Sequence, residues 1–597
     1  SDRPYVVALA GMAALAAAAM VAAATISRLV FGGIPHVQDS IAQLFQARIF
    51  ALGRLWVPSP PLPRLFDYAQ MINDGRWYSQ YPPGHPLLLL PWVLLGVPWL
   101  ANPVLGGLGL LFTMLLAREL FDDQVALLAG VMGLLSPFFL FMASEFMSHV
   151  SGFATLTGFV YFYFRMRRTG RVMDAAAAGL CLCLALLVRP YTAAAMALPV
   201  ALHALHGLRS TSAPAGTGTL PASRLVLLVS GGGLAGILLL LLYNLGTTGD
   251  AMVPGYIKLY GPSHGLGFGK GSWGSPHTLE RGLLGTMSSL ASLNGRLFEW
   301  PGSSLWPLAA ALVASVADRG PGRAARGALW MLAALPACVL AAYVFYWYRD
   351  LCFGPRFIYD ALGPILILSA WGFRRVTELL SGIGTAREAG DPGQHSLDSR
   401  AGRKGRGGRD SRGGRGARTV IVGAVVLAAL SGWAAAVGWP RLWRISDEAR
   451  EALAGTPVRM ASYFQAYSPR FWGVSPYLGE LIRRQGVSNA LVLVRNLEPE
   501  NDAPPLRHLW FGSAFAHQRP DVSSAGVIFA RDRGVQVEDI ARAFPGRAIY
   551  RYTGTIEGGT LQRLDGEGAA ISPAGSRTPA VQAVHHGLAH RVPARGE

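Results

Sequence analysis

Charge is scarce in this sequence: 15% of its 597 residues are Asp, Glu, Lys or Arg, where a soluble domain carries about a quarter. With 51% hydrophobic residues, that shortage excludes an ordinary soluble globular chain. Cysteine is scarce too, at four residues. Cys181, Cys183 and Cys338 lie inside apolar runs and Cys352 stands alone in a polar connection, so no disulfide framework can form. The Cys181/Cys183 pair has no neighbouring His or Cys and reads as small apolar packing rather than a metal site. Acids are fewer than bases, 35 against 53, for a net charge of +18. The excess does not require nucleic acid. It gathers in loops between apolar runs, at Arg165 to Arg171, Arg319 to Arg326 and Arg374 to Arg418. Alternating spans put all three loops on one side, the cytoplasmic bias of membrane proteins.

What is abundant is long apolar sequence. Runs of about 17 to 25 residues recur from Tyr5 to Trp439, each long enough for a hydrocarbon core of about 30 Å. The first run, Tyr5 to Phe31, is too long for a signal peptide and reads as an anchor with a cytoplasmic N-terminus. Further segments fall near 86–119, 124–143, 147–164, 173–189, 191–207, 225–245, 303–317, 328–347, 357–373 and 419–439. The expectation is an all-α polytopic membrane protein of about eleven spans in a bacterial inner membrane, with a C-terminal extracytoplasmic α/β domain. Its parts are a transmembrane module over 1–375 with a large outer loop at 32–85, a disordered Gly/Arg-rich cytoplasmic linker over 376–418, a last span at 419–439, the α/β domain over 440–565 and a disordered tail over 566–597. Within the α/β domain, 489–495, 525–531 and 548–552 read as strands and 537–544 as a helix.

The outer loops then hold most of the polar residues that could carry chemistry. Asp39 opens an amphipathic stretch just after the first span; it reads either as a base at the lipid headgroup level or as an acid favoured by a helix N-terminus. Arg189 before Pro190 stands at a junction of two spans and reads as a phosphate ligand or a snorkelling anchor. Arg356 in Gly354-Pro355-Arg356 enters a span from outside, close to Arg349, and its guanidinium suits a phosphate. Tyr81, His85, His149, Tyr243, Asp250 and Lys270 complete the candidate set. The glycine run at 265–271 lacks the spacing of a nucleotide phosphate loop and suits a mobile outer loop.

Taken in order, these features resemble the GT-C superfamily of membrane glycosyltransferases, nearest to glycosyltransferase family 39, which holds protein O-mannosyltransferases and relatives of the aminoarabinose transferase. The resemblance covers about residues 5–375. It is carried by His36 to Arg48, Tyr81-Pro82-Pro83-Gly84-His85, Ser148-His149, Arg189-Pro190, Tyr243-Asn244 with Thr248-Gly249-Asp250, and Gly354-Pro355-Arg356. It implies a polyprenyl-phosphate sugar donor, a lipid, glycan or protein acceptor, no nucleic-acid partner, and an acidic base in the first outer loop, matched by Asp39. Family 39 usually has Asp-Glu there, whereas this chain has Asp39-Ser40; the missing second carboxylate gives no support for a bridging divalent metal, and no other cofactor is implied. The implied reaction is an inverting displacement, with Arg356 and Arg189 holding the departing phosphate. Two other classes share the spans: a lipid-linked sugar transporter or flippase, against which the lack of an internal repeat and the one-sided polar loops argue, and a non-catalytic scaffold. A polymer ligase with a lipid diphosphate donor is not distinguishable from sequence.

Overall fold

The computed structural model describes residues 3–209, 221–272, 276–300, 303–317, 323–348, 352–388, 467–468, 471–496, 509–555 and 558–564. The expected last span at 419–439, Arg349 and the tail over 566–597 lie outside them. The chain is mostly helical. Helix α1 (Arg3–Leu29) is followed by α2 (Gln38–Phe50), then by three short strands, β1 (Val57–Pro58), β2 (Met71–Asn73) and β3 (Arg76–Ser79). After them come α3 (Gly84–Leu94), α4 (Ala101–Leu120), α5 (Asp123–Leu134), α6 (Pro137–Ala143), α7 (Ser148–Thr169), α8 (Val172–Val188), α9 (Pro190–Arg209) and α10 (Ala222–Thr248). The helical part closes with α11 (Gly255–Tyr260), α12 (Leu279–Arg296), α13 (Trp306–Ala317), α14 (Arg323–Tyr343) and α15 (Leu362–Glu388).

Among the described residues, five helices are long and apolar enough to cross a membrane: α1, α4, α9, α10 and α14. The bent pair α5–α6 makes a sixth if it counts as one span. The stretch 124–143, expected as a single span, bends by 67° between these two helices. The break has a local cause. Pro137 cannot continue α5, and the Ser136 side chain caps α6 by accepting from the Phe139 amide at 3.2 Å. Helix α15 also departs from the expected boundary at 375, since it runs on to Glu388 into the stretch read as linker. The arginines that mark that boundary by composition still fit a helix whose Arg374 pairs with both Asp122 and Glu378. Helix α12 had no counterpart among the expected segments. It is amphipathic, with Leu279, Leu283, Met287 and Leu290 exposed while Leu293 is buried, so no continuous apolar run marks it.

The first outer loop is an ordered platform. β3 pairs antiparallel with both β1 and β2, and α2 packs against β3. On this platform sits the second unit, made of α16 (Tyr477–Arg484), β4 (Ala490–Asn496), α17 (Leu509–Phe515), β5 (Val527–Arg531), α18 (Val537–Ala543), β6 (Ala548–Gly554) and β7 (Gly559–Arg563). Its sheet runs β5-β4-β6-β7, with β4 parallel to both β5 and β6 and β7 antiparallel at one edge. The central strand β4 is a near-continuous apolar run, as a parallel strand covered on both faces requires. Platform and α/β unit share one core: Ile41, Phe45, Phe66, Tyr68 and Trp77 from the loop cluster with Val474, Phe511, Phe515 and Ile528. The α/β unit and the first loop therefore lie on the same side of the helical layer.

Candidate active site

Asp39 lies in the first turn of α2, where a carboxylate is favoured by the helix dipole. The residue before the helix, Val37, has no side-chain oxygen to cap it. The cap comes from Glu145, in the connection between α6 and α7. Its Oε1 accepts from the His36 amide at 2.8 Å and from the Val37 amide at 3.5 Å, and its Oε2 accepts from the Ser40 hydroxyl at 2.7 Å. Glu145 is buried, and that burial pushes its carboxyl up to about 7 against the pull of these three donors. The start of α2, and with it the placement of Asp39, is thus set by a buried acid more than a hundred residues away. Glu145 is not among the residues singled out in the sequence. The available signal was a lone carboxylate between Met142 and Met147 in an apolar stretch, where an uncompensated charge is costly.

Arg356 reaches Asp39 from the other side, with Nη1 3.1 Å from Asp39 Oδ2. The arginine is almost fully buried, while Asp39 keeps 21% of its side chain exposed, as an acid facing a cavity would. Arg356 is delivered by a left-handed turn at Phe353 (φ 59°) and Gly354 (φ 75°). A phenylalanine in that conformation is strained; its ring, fully buried, stacks on Tyr467 at 4.6 Å, which holds it there. Arg189, at the junction of α8 and α9, is partly buried, with 13% of its side chain exposed. Its Nε lies 3.2 Å from Asp360 Oδ2 and its Nη2 donates to the Tyr343 hydroxyl at 2.8 Å. The ring of Phe357 sits between the two cations, 5.2 Å from the Arg356 guanidinium and 5.8 Å from that of Arg189. His149 lies 5.8 Å from the same ring, is 2% exposed, and neither ring nitrogen has a hydrogen-bond partner among the described residues.

These groups line one cavity of about 450 Å³, a volume suited to a small ligand. Of the residues singled out in the sequence, Asp39, Tyr81, His149, Arg189, Tyr243 and Arg356 line it. Burial, then the neighbouring Asp39 charge, pushes the Tyr81 hydroxyl well above its ordinary range, so it stays a neutral donor. The Tyr243 hydroxyl is buried without a partner among the described residues. His85, Asp250 and Lys270 do not line the cavity. The two ring nitrogens of His85 are engaged by Ser151 Oγ at 2.7 Å and the Phe146 carbonyl at 2.8 Å, a packing role. Asp250 is exposed in the turn after α10, where its carboxylate accepts from the Met252 amide at 2.8 Å. Lys270 lies in the glycine-rich loop, its carbonyl accepting from the His277 amide at 2.7 Å. Arg349 is not among the described residues. The cavity also recruits residues that had not been singled out, including Gln70, Gln80, Tyr256, Tyr343 and Phe357; they come from four separate segments and share no motif. Among the described residues, no group of three or more His, Cys, Asp or Glu is arranged to hold a metal ion.

No protein-family model matches the sequence, and neither does any curated protein. Among solved structures, the chain is similar to ArnT from Cupriavidus metallidurans bound to undecaprenyl phosphate, at 16% identity and a TM-score of 0.47, covering 93% of this chain and 93% of that one. The apo state of the same protein gives 15% identity and a TM-score of 0.47, over 90% of this chain and 92% of that one. The archaeal oligosaccharyltransferase AglB from Archaeoglobus fulgidus, in complex with an inhibitory peptide and a dolichol-phosphate, is similar at 15% identity and a TM-score of 0.34, over 75% of this chain and 60% of its own.

Proposed function

We propose that the chain is a membrane glycosyltransferase that moves a sugar from a polyprenyl phosphate to a hydroxyl acceptor on the outer face of a bacterial inner membrane. One observation carries the reading: a partly exposed carboxylate, Asp39, lies 3.1 Å from the buried cation Arg356, in a cavity that also holds Arg189 and a His149 with no hydrogen-bond partner among the described residues. The motif order that resembles the GT-C superfamily supports it. So does the clustering of these groups at the ends of apolar helices, beside the platform formed by the first outer loop. About eleven spans with a cytoplasmic N-terminus complete the reading.

In the reaction, Asp39 accepts the proton of the acceptor hydroxyl as its oxygen bonds to the anomeric carbon. The bond from that carbon to the phosphate oxygen breaks on the opposite face, so the configuration inverts and the polyprenyl phosphate departs with the electron pair. Arg356 and His149 donate to the departing phosphate, and Arg189 adds positive field from beside Phe357. Arg356 thus has two partners in turn, Asp39 before the donor binds and the phosphate afterwards. The exchange frees the carboxylate when it is needed as a base.

The test is transfer of labelled sugar from polyprenyl-phosphate donors in liposomes, with wild type against Asp39→Asn. The variant keeps the shape and the hydrogen bond to Arg356 and is expected to lose at least about a hundredfold in rate. Equal transfer by both proteins would remove Asp39 from the chemistry. No transfer by wild type from a panel of such donors would sink the transferase reading.

A further inference from the structure

The sheet of the α/β unit has the strand order β5-β4-β6-β7, so the chain leaves β4 toward β5 on one side and leaves β6 toward β7 on the other. Adjacent parallel strands whose connections part in this way open a crevice at their carboxyl ends, the usual ligand position in open α/β sheets. At that position stands a set of charges. Leu493 of β4 pairs with Arg551 of β6, and Arg495, two residues on, pairs with Thr553. With a side-chain period of two, Arg495 and Arg551 share one face of the sheet, one on each side of the crevice. Val494 pairs with Arg531 of β5, and the next amide, that of Asp532, donates to the Val494 carbonyl at 3.1 Å, which brings Asp532 level with Arg495 on that same face. Arg531 belongs to the opposite face, its guanidinium 4.9 Å from the Phe511 ring of α17 and its Nε donating to the Asp67 carbonyl at 2.9 Å. Arg531 thereby ties the sheet to the platform.

Asp532 arranges the other two cations. Its side chain is 1% exposed. Its Oδ1 accepts from the Gly534 amide at 3.3 Å, while its Oδ2 lies 2.9 Å from Arg495 Nε and accepts from Arg551 Nε at 2.8 Å. One carboxylate oxygen thus draws together two guanidiniums that repel each other, each through Nε alone. The distal edges of both, Nη1 and Nη2, have no hydrogen-bond partner among the described residues, and the two side chains stay 50% and 26% exposed. A single arginine would match the carboxylate; the second leaves the group cationic, a surplus that a bound anion offsets. Two forks in one crevice suit an anion with at least three oxygens. A carboxylate has two, which one fork saturates, whereas a phosphate monoester offers three to both.

We infer that Arg495, Arg551 and Asp532 form a binding site for a phosphate monoester, with the two arginines as its ligands and Asp532 as the residue that positions them. The site lies in the α/β unit and does not rest on the transferase reading. Its phosphate belongs either to a soluble compound or to a membrane lipid headgroup.

The test uses the full chain in phosphatidylcholine nanodiscs, with glycerol 3-phosphate as the soluble probe and phosphatidic acid in the nanodisc lipid as the embedded one. The readout is amide hydrogen exchange in Ala490–Asn496 and Ala548–Gly554, which separates this site from phosphate held near Arg356 in the cavity. At least one probe is expected to slow exchange in both strands. Arg495→Gln and Arg551→Lys should each raise the half-saturating amount of probe about tenfold, and Arg484→Gln, which removes an exposed cation of α16, should leave it unchanged. Each variant at the site keeps one arginine on Asp532, and probe-free exchange equal to wild type shows that it is folded; where Arg495→Gln alone alters that exchange, Arg551→Lys, which keeps the charge, decides. Protection by glycerol 3-phosphate identifies a soluble ligand, and protection by phosphatidic acid alone identifies a headgroup. Protection by neither probe overturns the site. So does protection that Arg484→Gln weakens as much as Arg495→Gln, because net charge then explains it. Both results leave the comparison of sugar transfer by wild type and Asp39→Asn untouched.

Discussion

At the scale of single residues, two ionisable groups with little exposure decide how the site is held. Burial pushes the Glu145 carboxyl up to about 7 from an ordinary 4.5. The folded state therefore binds its proton more tightly than the unfolded one, so Glu145 favours folding below about pH 4.5 and loses that contribution as pH rises through 7. The full swing is about 3 kcal/mol. Glu145→Gln carries no charge to bury and keeps an oxygen for the His36 and Val37 amides. Its apparent melting temperature should match wild type at pH 5 and exceed it at pH 8; equal curves across that range would mean that the acid is not the titrating group. Arg189 poses a different question, because its Nε lies 3.2 Å from the carboxylate of Asp360, which is fully buried. Arg189→Leu should cost about 3 to 5 kcal/mol by stranding the Asp360 charge, whereas Arg189→Leu with Asp360→Leu should regain most of it. Recovered folding yield in the double variant, with phosphate affinity still reduced, would separate the structural role of Arg189 from its role in binding. Recovery of both would make it a purely structural arginine.

At the scale of elements, the helices were legible wherever burial in lipid demands an unbroken apolar run. The positions of α1, α7, α8, α9 and α10 follow from their runs to within a few residues, as do β4, β5, β6 and α18 from theirs. The platform strands did not show, because β1 to β3 are two to four residues long and are defined by pairing partners that local pattern does not encode. Asp39, Arg189 and Arg356 stood out because a charge at a span end needs a reason. Tyr256 and Tyr343 did not, since nothing local distinguishes a tyrosine whose place in the cavity wall depends on packing between distant segments. Close helix packing was hidden in the same way within Gly231-Gly232-Gly233. An added Cβ at Gly232 would lie 2.3 Å from the Gly179 carbonyl oxygen of α8, while at Gly231 nothing lies within 4 Å. Gly232→Ala should therefore push α10 off α8 and lower thermal stability, and Gly231→Ala should raise helix stability by up to about 1 kcal/mol. Melting curves of the two neighbouring variants check this; shifts of the same sign would mean that α8 and α10 do not meet at Gly179.

At the scale of the whole molecule, the α/β unit is built into the site's support rather than tethered beside it. Arg48, in the last turn of the helix that holds Asp39 in its first, donates from Nη1 to the Gln518 carbonyl at 2.7 Å and from Nη2 to the Ala516 carbonyl at 2.8 Å. At the other end of that helix, His36 Nδ1 lies 2.9 Å from the Phe471 carbonyl and Nε2 lies 2.8 Å from that of Phe31. Tyr68 stacks on Phe515 at 4.5 Å between these two clamps. Helix α2 is thus gripped at both ends by the α/β unit or its leading segment, and Asp39 has little freedom to move without it. Burial draws the Arg48 guanidinium down to about 10, still fully charged at neutral pH, so its two carbonyl contacts are charge-assisted and worth about 1.5 to 3 kcal/mol each. Arg48→Ala should speed hydrogen exchange in Gln38–Phe50 and Leu509–Phe515 together and lower transfer activity, though Arg48 does not line the cavity. Arg48→Lys should rescue little, because one ammonium does not fork onto two carbonyls. Faster exchange confined to Leu509–Phe515, with activity intact, would show instead that the α/β unit rides on a platform whose shape it does not set.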